Sequence, residues 1–354
     1  MGVRIAAVEV TPYALPFHDP YVTAQGSLTQ REMVLLRLRS EDGLTGLGEA
    51  VPLSLRGGAP LSRVVEELEL LSELSELDEA ALSGGIANLS PPARCAALTA
   101  LMDLRGRRAA AEGRSSAAAA EPVACNATLV AGEPAAVADD ALRWAEEGFS
   151  TFKLKLGAGD DVAQAQAVRR AVGPLARIRV DANAAWDVDG AKRTLAALEE
   201  LDVELAEQPV VTLEEAAEVA AATSIPIAGD ESVECRADAE RALALGACRL
   251  AGLKLSKVGG PEEAIAIAEV LPSYLSSALD GPVGIAAAAQ VAQTLREGTP
   301  AVGVDLAHGL ATQRLFAETV AAVECELRDG MLHPPAGPGL GVEIDERALE
   351  LHRL

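Results

Sequence analysis

Five short runs decide the fold: TFKLKL at 151–156, IRVD at 178–181, VELAE at 203–207, IPIAGD at 225–230 and LAGLKL at 250–255. Each is rich in Val, Ile, Leu or Ala and ends on or beside a charged residue, as strands that lead into a polar mouth do. Val123–Leu129, Tyr274–Ala278 and Val302–Leu306 complete the set. Helical patterns fill the intervals, for example Pro134–Glu147, Thr212–Ala222 and Pro261–Leu271, and the second opens as a capping box, TLEE. Eight strand-plus-helix units predict an α/β fold, a closed parallel (β/α) barrel of the TIM type. The rival is an open doubly wound sheet, but no G-x-G-x-x-G follows the first strand.

Before the barrel, residues 1–120 read as an α+β capping domain. Ile5–Leu15, Glu32–Ser40 and Leu44–Ala50 predict strands, with a hairpin turn at Glu41-Asp42-Gly43. Between the first two, Phe17–Gln30 predicts a polar loop too long for a tight turn, and Val51–Pro60 a second loop. Helical spacing follows in Leu61–Leu74 and, behind a Pro-Pro start, in Pro92–Ala110. The Ala- and Ser-rich stretch Ala109–Glu121 marks the boundary. The barrel is then expected over 121–325. The proline-bearing tail, 326–354, is expected to return to the capping domain.

The chain has 354 residues and a net charge of -23, so its surface repels nucleic-acid phosphates and anionic lipids. Neither nucleic acid nor membrane is an expected partner. An anionic ligand needs a local cation cluster or a metal to enter. Cys95, Cys125, Cys235, Cys248 and Cys325 form no C-x-x-C pair, as free thiols of a reducing cytosol would not. With no apolar run long enough to span a bilayer and no signal-peptide pattern, a cytoplasmic protein is expected. Association into a homo-oligomer is left open.

In a parallel barrel the C-terminal strand ends converge on one mouth. Lys153 and Lys155 lie two apart and so face the same side. Ammonium groups inside a barrel demand nearby negative charge, since burying them unpaired is costly. Asp181, Glu207 and Asp230 supply it from three successive strand ends, each step about 4.8 Å. Three hard oxygen donors suit Mg2+ better than Zn2+, which favours His or Cys. Lys254 stands across the mouth from Lys155, so two acid–base groups flank the metal site.

Each element has a plainer explanation. A single strand-end acid is commonly a helix cap, and a K-x-K pair commonly lies on an exposed edge. Charge at the ends of five consecutive strands is what argues for chemistry. Asn183 and Glu231 are candidate orienting or pairing groups, with an ordinary loop role equally open. Asp280 and His308 are candidate substrate contacts, whereas His18, His333 and His352 read as surface residues. Lys257, beyond the strand end, reads as a solvated charge. No histidine ends the seventh strand, 274–280.

FKLKLG, RVDAN, AEQP, AGDES and LKLSKVGG, in this order and spacing, resemble the enolase superfamily. Within it they resemble the muconate-lactonizing-enzyme subgroup, which sets one lysine on each side of its metal. GLGEA (46–50) and DLRGR (103–107) resemble the capping domain of that family, and GPGLGVEID (337–345) its closing segment, so the likeness spans the chain. The resemblance implies that Asp181, Glu207 and Asp230 hold Mg2+ and that Lys155 takes the α-proton of a small-molecule carboxylate. Lys153 would keep Lys155 neutral by like-charge repulsion, Lys254 would act from the opposite face, and the metal would stabilise the enediolate.

Within the subgroup, SSALDGPVGIAAA (276–288) and HGLATQRLF (308–316) resemble o-succinylbenzoate synthases, implying a dehydration in menaquinone biosynthesis. N-succinylamino acid racemase, dipeptide epimerase and muconate cycloisomerase are the alternatives. An anion-binding barrel without catalysis is the alternative of another class. A dipeptide epimerase is expected to carry an acidic pair near strand eight, where only Asp305 stands, while Asp280 keeps racemase and epimerase open. The Ala-rich stretch Ala109–Ala120 departs from the family pattern, which bears on the domain junction and not on the metal site.

Overall fold

The structure, a computed structural model, describes residues 4–23, 26–53, 58–73, 84–114, 120–298 and 306–354. The chain begins with an antiparallel sheet of β1 (Ile5–Thr23), β2 (Gly26–Ser40) and β3 (Thr45–Ala50), in that spatial order. Against it pack α1 (Leu61–Leu70) and α2 (Pro91–Ala111), burying Val34, Leu36, Leu38, Val64, Leu68 and Leu101 in a core of their own. Gly48 makes this approach possible, because a Cβ there would collide with the Ala96 carbonyl of α2.

The expected loop at Phe17–Gln30 is largely strand. β1 and β2 continue their pairing out to Thr23–Gly26, with a register shift between Pro16 and Tyr21. Polar composition here reflects an exposed ribbon whose backbone groups are paired by the ladder. The ribbon is pinned over the barrel by stacked rings, Phe17 on Phe316 at 4.9 Å and on Tyr21 at 5.8 Å.

The expected first barrel strand, Val123–Leu129, is divided. β4 (Val123–Ala124) joins an outlying sheet, and only β5 (Ala127–Leu129) enters the barrel. The alternation then runs α3 (Pro134–Glu146), β6 (Thr151–Lys155), α4 (Asp161–Val172), β7 (Arg177–Asp181), α5 (Val188–Leu198), β8 (Val203–Glu207) and α6 (Leu213–Ala220). It continues with β9 (Ile227–Gly229), α7 (Arg236–Leu245), β10 (Leu250–Leu253), the single turn α8 (Leu255–Val258), α9 (Pro261–Ala268), β11 (Ser273–Leu275) and α10 (Pro282–Gly298). α6 turns one stripe, Leu213, Ala216 and Val219, inward, and its Thr212–Glu215 capping box forms as expected.

β5 to β11 form one parallel sheet in sequence order. Of the expected eighth strand, Val302–Leu306, only Leu306 lies within the described residues. The seam closes further along: His308 bridges Cys125 and Gly309 bridges Ser276, both in parallel sense. His308 N donates to Ala124 O at 2.7 Å and Gly309 N to Leu275 O at 2.8 Å, so this short segment ties the last strand to the first.

Beyond the barrel, β12 (Ala321–Val323) pairs with β15 (Glu343–Ile344), and β13 (Glu326–Arg328) with β14 (Met331–His333), which pairs in turn with β4. The last helix, α11 (Glu346–Leu351), leads to a C-terminus held by β1, where Ala14 N donates to His352 O at 3.0 Å. No described helix is long and apolar enough to cross a membrane.

Candidate active site

Alternate residues along a strand share a face, so Lys153 and Lys155 of β6, Arg179 and Asp181 of β7, and Leu205 and Glu207 of β8 point to the same side, in register with one another. The charged strand ends singled out in the sequence are all buried. Asp181 and Glu207 are in-register neighbours on β7 and β8, and Asp230 stands one residue past β9.

The structure joins these groups into one network. Lys153 Nζ lies 2.7 Å from Glu207 and 2.8 Å from Asp181, bridging the two carboxylates. Lys155 Nζ donates to Asp181 Oδ2 at 2.6 Å and to Asn183 Oδ1 at 2.8 Å. Across the mouth, Lys254 donates to Asp230 Oδ2. Both members of the K-x-K pair therefore face inward and meet the same oxygen, Oδ2 of Asp181.

Asn183 links Lys155 to Glu231, its Nδ2 donating to Glu231 Oε1 at 3.2 Å, so Glu231 reaches the network through Asn183. Lys257 is buried rather than solvated. It donates to Asp230 Oδ1 at 2.9 Å and to Val233 O at 3.0 Å, because the turn α8 folds it back over the strand end. His308 serves the seam, its Nδ1 accepting from Leu275 N at 2.9 Å. Asp280 lies beyond β11, accepting from Ser277 Oγ at 2.8 Å and Ala278 N at 2.7 Å, on the side facing Glu49 of β3. Asp305 lies outside the described residues.

Charge follows the geometry. Burial alone would make Lys153 a weaker base-holder of its proton, yet the Asp181 and Glu207 carboxylates against it hold its pKa well above the ordinary value. The same contest, won by Asp181, raises Lys155. Lys153 does press the pKa of Lys155 downward, as expected, but the Asp181 carboxylate at 2.6 Å outweighs it here. Asp181, despite burial, is held far below the usual carboxylate range by Lys153 and Lys155. Burial and the adjacent Asp181 push Glu207 up.

Among the described residues no group of three or more Asp, Glu, His or Cys side chains is arranged to hold a metal ion as it stands. The donor set nonetheless fits a hard cation: three buried carboxylates on adjacent strand ends, with Asp181 and Asp230 both repelling the charge of Glu207. Here ammonium groups supply the positive charge that this cluster demands.

Sequence reading missed three participants. Tyr274, on β11, reaches across the barrel and donates its hydroxyl to Glu207 Oε2. Burial and that carboxylate push the phenol well above its ordinary pKa, so it stays protonated. Arg31, on β2, is buried at the mouth with Nη2 donating to Pro52 O at 2.7 Å. Thr312 lines the same pocket with a buried hydroxyl that makes no hydrogen bond within the described residues. Only Tyr274 left a trace, standing two positions before Ser276 on an inward face.

The pocket above the network is walled by Lys153, Lys155, Lys254 and Lys257, by Ser276 and Ser277, and by Tyr21, Leu28 and Arg31 of the capping sheet. No carboxylate lines it among the described residues.

Residues 136–348 match the family model described as enolase C-terminal domain-like, and residues 5–112 match that of the mandelate racemase / muconate lactonizing enzyme N-terminal domain. The chain is 37% identical over 239 residues to an o-succinylbenzoate synthase of Thermobifida fusca (strain YX), covering 65% of this chain and 70% of that protein. It is similar to muconate lactonizing enzyme from Pseudomonas fluorescens complexed with muconolactone, with a TM-score of 0.88 at 27% identity and 100% coverage of both chains. It is also similar to a dipeptide epimerase from Enterococcus faecalis V583 complexed with Mg and the dipeptide L-Leu-L-Tyr. That match has a TM-score of 0.85 at 25% identity, covering 97% of this chain and 100% of the other. Matched across both halves and carrying the charged strand ends at the barrel mouth, the chain belongs to the enolase superfamily, in its muconate-lactonizing-enzyme subgroup, and is an enzyme of the lyase or isomerase type.

Proposed function

We propose that this enzyme is an o-succinylbenzoate synthase, eliminating water from a cyclic dicarboxylate after loss of the proton next to one carboxylate. The observation that carries the reading is the lining of the pocket: four lysines and Arg31, with no carboxylate among the described residues, in a chain of net charge -23. Such a mouth suits a substrate with two negative charges. A dipeptide brings an ammonium group, and among the described residues no carboxylate lines the pocket to pair with it. The likeness to the Thermobifida fusca synthase supports the same choice.

In this reading Asp181, Glu207 and Asp230 hold Mg2+, which, when bound, supplies Lewis-acid stabilisation of charge developing on the substrate carboxylate. Lys155 takes the α-proton. Asn183, accepting from Lys155 at 2.8 Å, fixes the direction of its Nζ. Lys254, on the opposite side, remains a cation beside the developing negative charge, and the proton taken by Lys155 passes to the departing β-hydroxyl, which leaves as water. Arg31 and the Thr312 hydroxyl receive the second carboxylate.

The test is a Mg2+-supplemented assay against the o-succinylbenzoate precursor, N-succinylamino acids, cis,cis-muconate and dipeptides. Dehydration of the precursor with the highest kcat/KM is expected. Faster racemisation of an N-succinylamino acid, or faster epimerisation of a dipeptide, would overturn the assignment. Failure to wash deuterium into any of these carboxylates would favour a binding protein.

A further inference from the structure

Tyr274 is a large polar side chain buried in the floor of the barrel, and the proton-transfer chemistry above makes no use of it. Its ring packs with Leu205, Ala228 and Leu250 and lies under the Arg179 guanidinium, 5.0 Å from the ring centroid. Two strands separate β11 from β8, yet the hydroxyl reaches Glu207. The path is open because the in-register neighbour of Tyr274 is Gly252, where a Cβ would stand 2.9 Å from the phenol oxygen. The glycine and the tyrosine thus form a matched pair, one vacating the space that the other crosses.

We propose that Tyr274 is a positioning residue for Glu207, fixing this carboxylate for a divalent cation; the inference rests on the metal site assigned under the proposed function. Lys153 also touches Glu207, but it is shared with Asp181 at nearly the same distance and carries a charge that repels an arriving cation. The phenol addresses Glu207 alone and is neutral. It therefore orients the carboxylate without weakening the attraction between that group and a cation, as hydrogen bonds to metal-ligating side chains do elsewhere.

The experiment is titration of the full-length protein with Mn2+, without substrate, followed by calorimetry and EPR. Tyr274→Phe keeps the ring beneath Arg179 and removes only the donor. It is expected to bind Mn2+ about 10- to 100-fold more weakly than wild type, with an altered EPR line shape and a retained far-UV circular dichroism spectrum. Gly252→Ala, which crowds the hydroxyl from the other side, is expected to weaken binding in the same direction and serves should the first variant fold poorly. Wild-type Mn2+ affinity and line shape in folded Tyr274→Phe would overturn the positioning role while leaving the metal site standing. A wild-type protein that binds no Mn2+ would overturn the metal site and this inference together.

Discussion

Lys155 and Lys254 flank a cluster of buried acids, Lys155 donating to Asp181 and Asn183 and Lys254 to Asp230. Asp181 and Asn183 aim the Lys155 amine. Lys155→Ala should lower α-proton exchange in deuterated buffer by about 10²- to 10⁴-fold while the far-UV circular dichroism spectrum is retained. Exchange at the wild-type rate would remove Lys155 from the role of base. The raised pKa of Lys155 belongs to a network in which Asp181 carries its full charge toward the ammonium. Engaging that carboxylate elsewhere would ease deprotonation, which is why base and carboxylate cluster are placed in direct contact.

Among the elements, the contact of β3 with α2 determines how the capping sheet sits against its helices. Gly46 and Gly48 face the helix backbone at Ala100 and Ala96, closer than any side chain would allow. Gly48→Ala must therefore push the helix outward, since backbone cannot rotate aside as a side-chain tip can. A loss of about 3 kcal/mol is expected from such overpacking, read as a lower urea midpoint at unchanged slope. An unaltered midpoint would mean that the sheet and helix separate without cost. The same helix carries Arg94, whose side chain donates to Val258 O at 3.1 Å and Gly259 O at 3.2 Å. It thereby holds the turn that places Lys257 against Asp230.

Across the whole molecule, capping sheet and barrel are joined by a buried carboxyl group. Glu49 Oε1 accepts from Gly281 N at 2.6 Å, just past β11, while Oε2 accepts from Tyr13 OH at 2.9 Å. Burial, followed by the nearby Asp280 charge, pushes Glu49 up to about 8. Its pKa is thus raised relative to the unfolded chain, so the folded state binds this proton more tightly. Stability from this group is fully present below the unfolded value near 4.5 and is lost as pH rises toward about 8. Each pH unit in that window costs up to about 1.4 kcal/mol. Glu49→Gln should flatten the fall in Tm between pH 5.5 and 8, and profiles that run parallel for the two proteins would show that the junction does not titrate.

From the sequence alone came the parallel barrel, its capping domain and the charged strand ends, because strand periodicity assigns each side chain to a face without knowledge of distant partners. Lys153, Lys155, Asp181, Glu207, Asp230 and Lys254 were legible in this way. The path of the Phe17–Gln30 ribbon, the seam at His308–Gly309, the burial of Lys257 and the arrival of Arg31 at the mouth were not. The reach of Tyr274 over Gly252 belongs with them. Each depends on which residues far apart in the chain come level with one another, and that is set by register around the barrel and by the space its packing leaves.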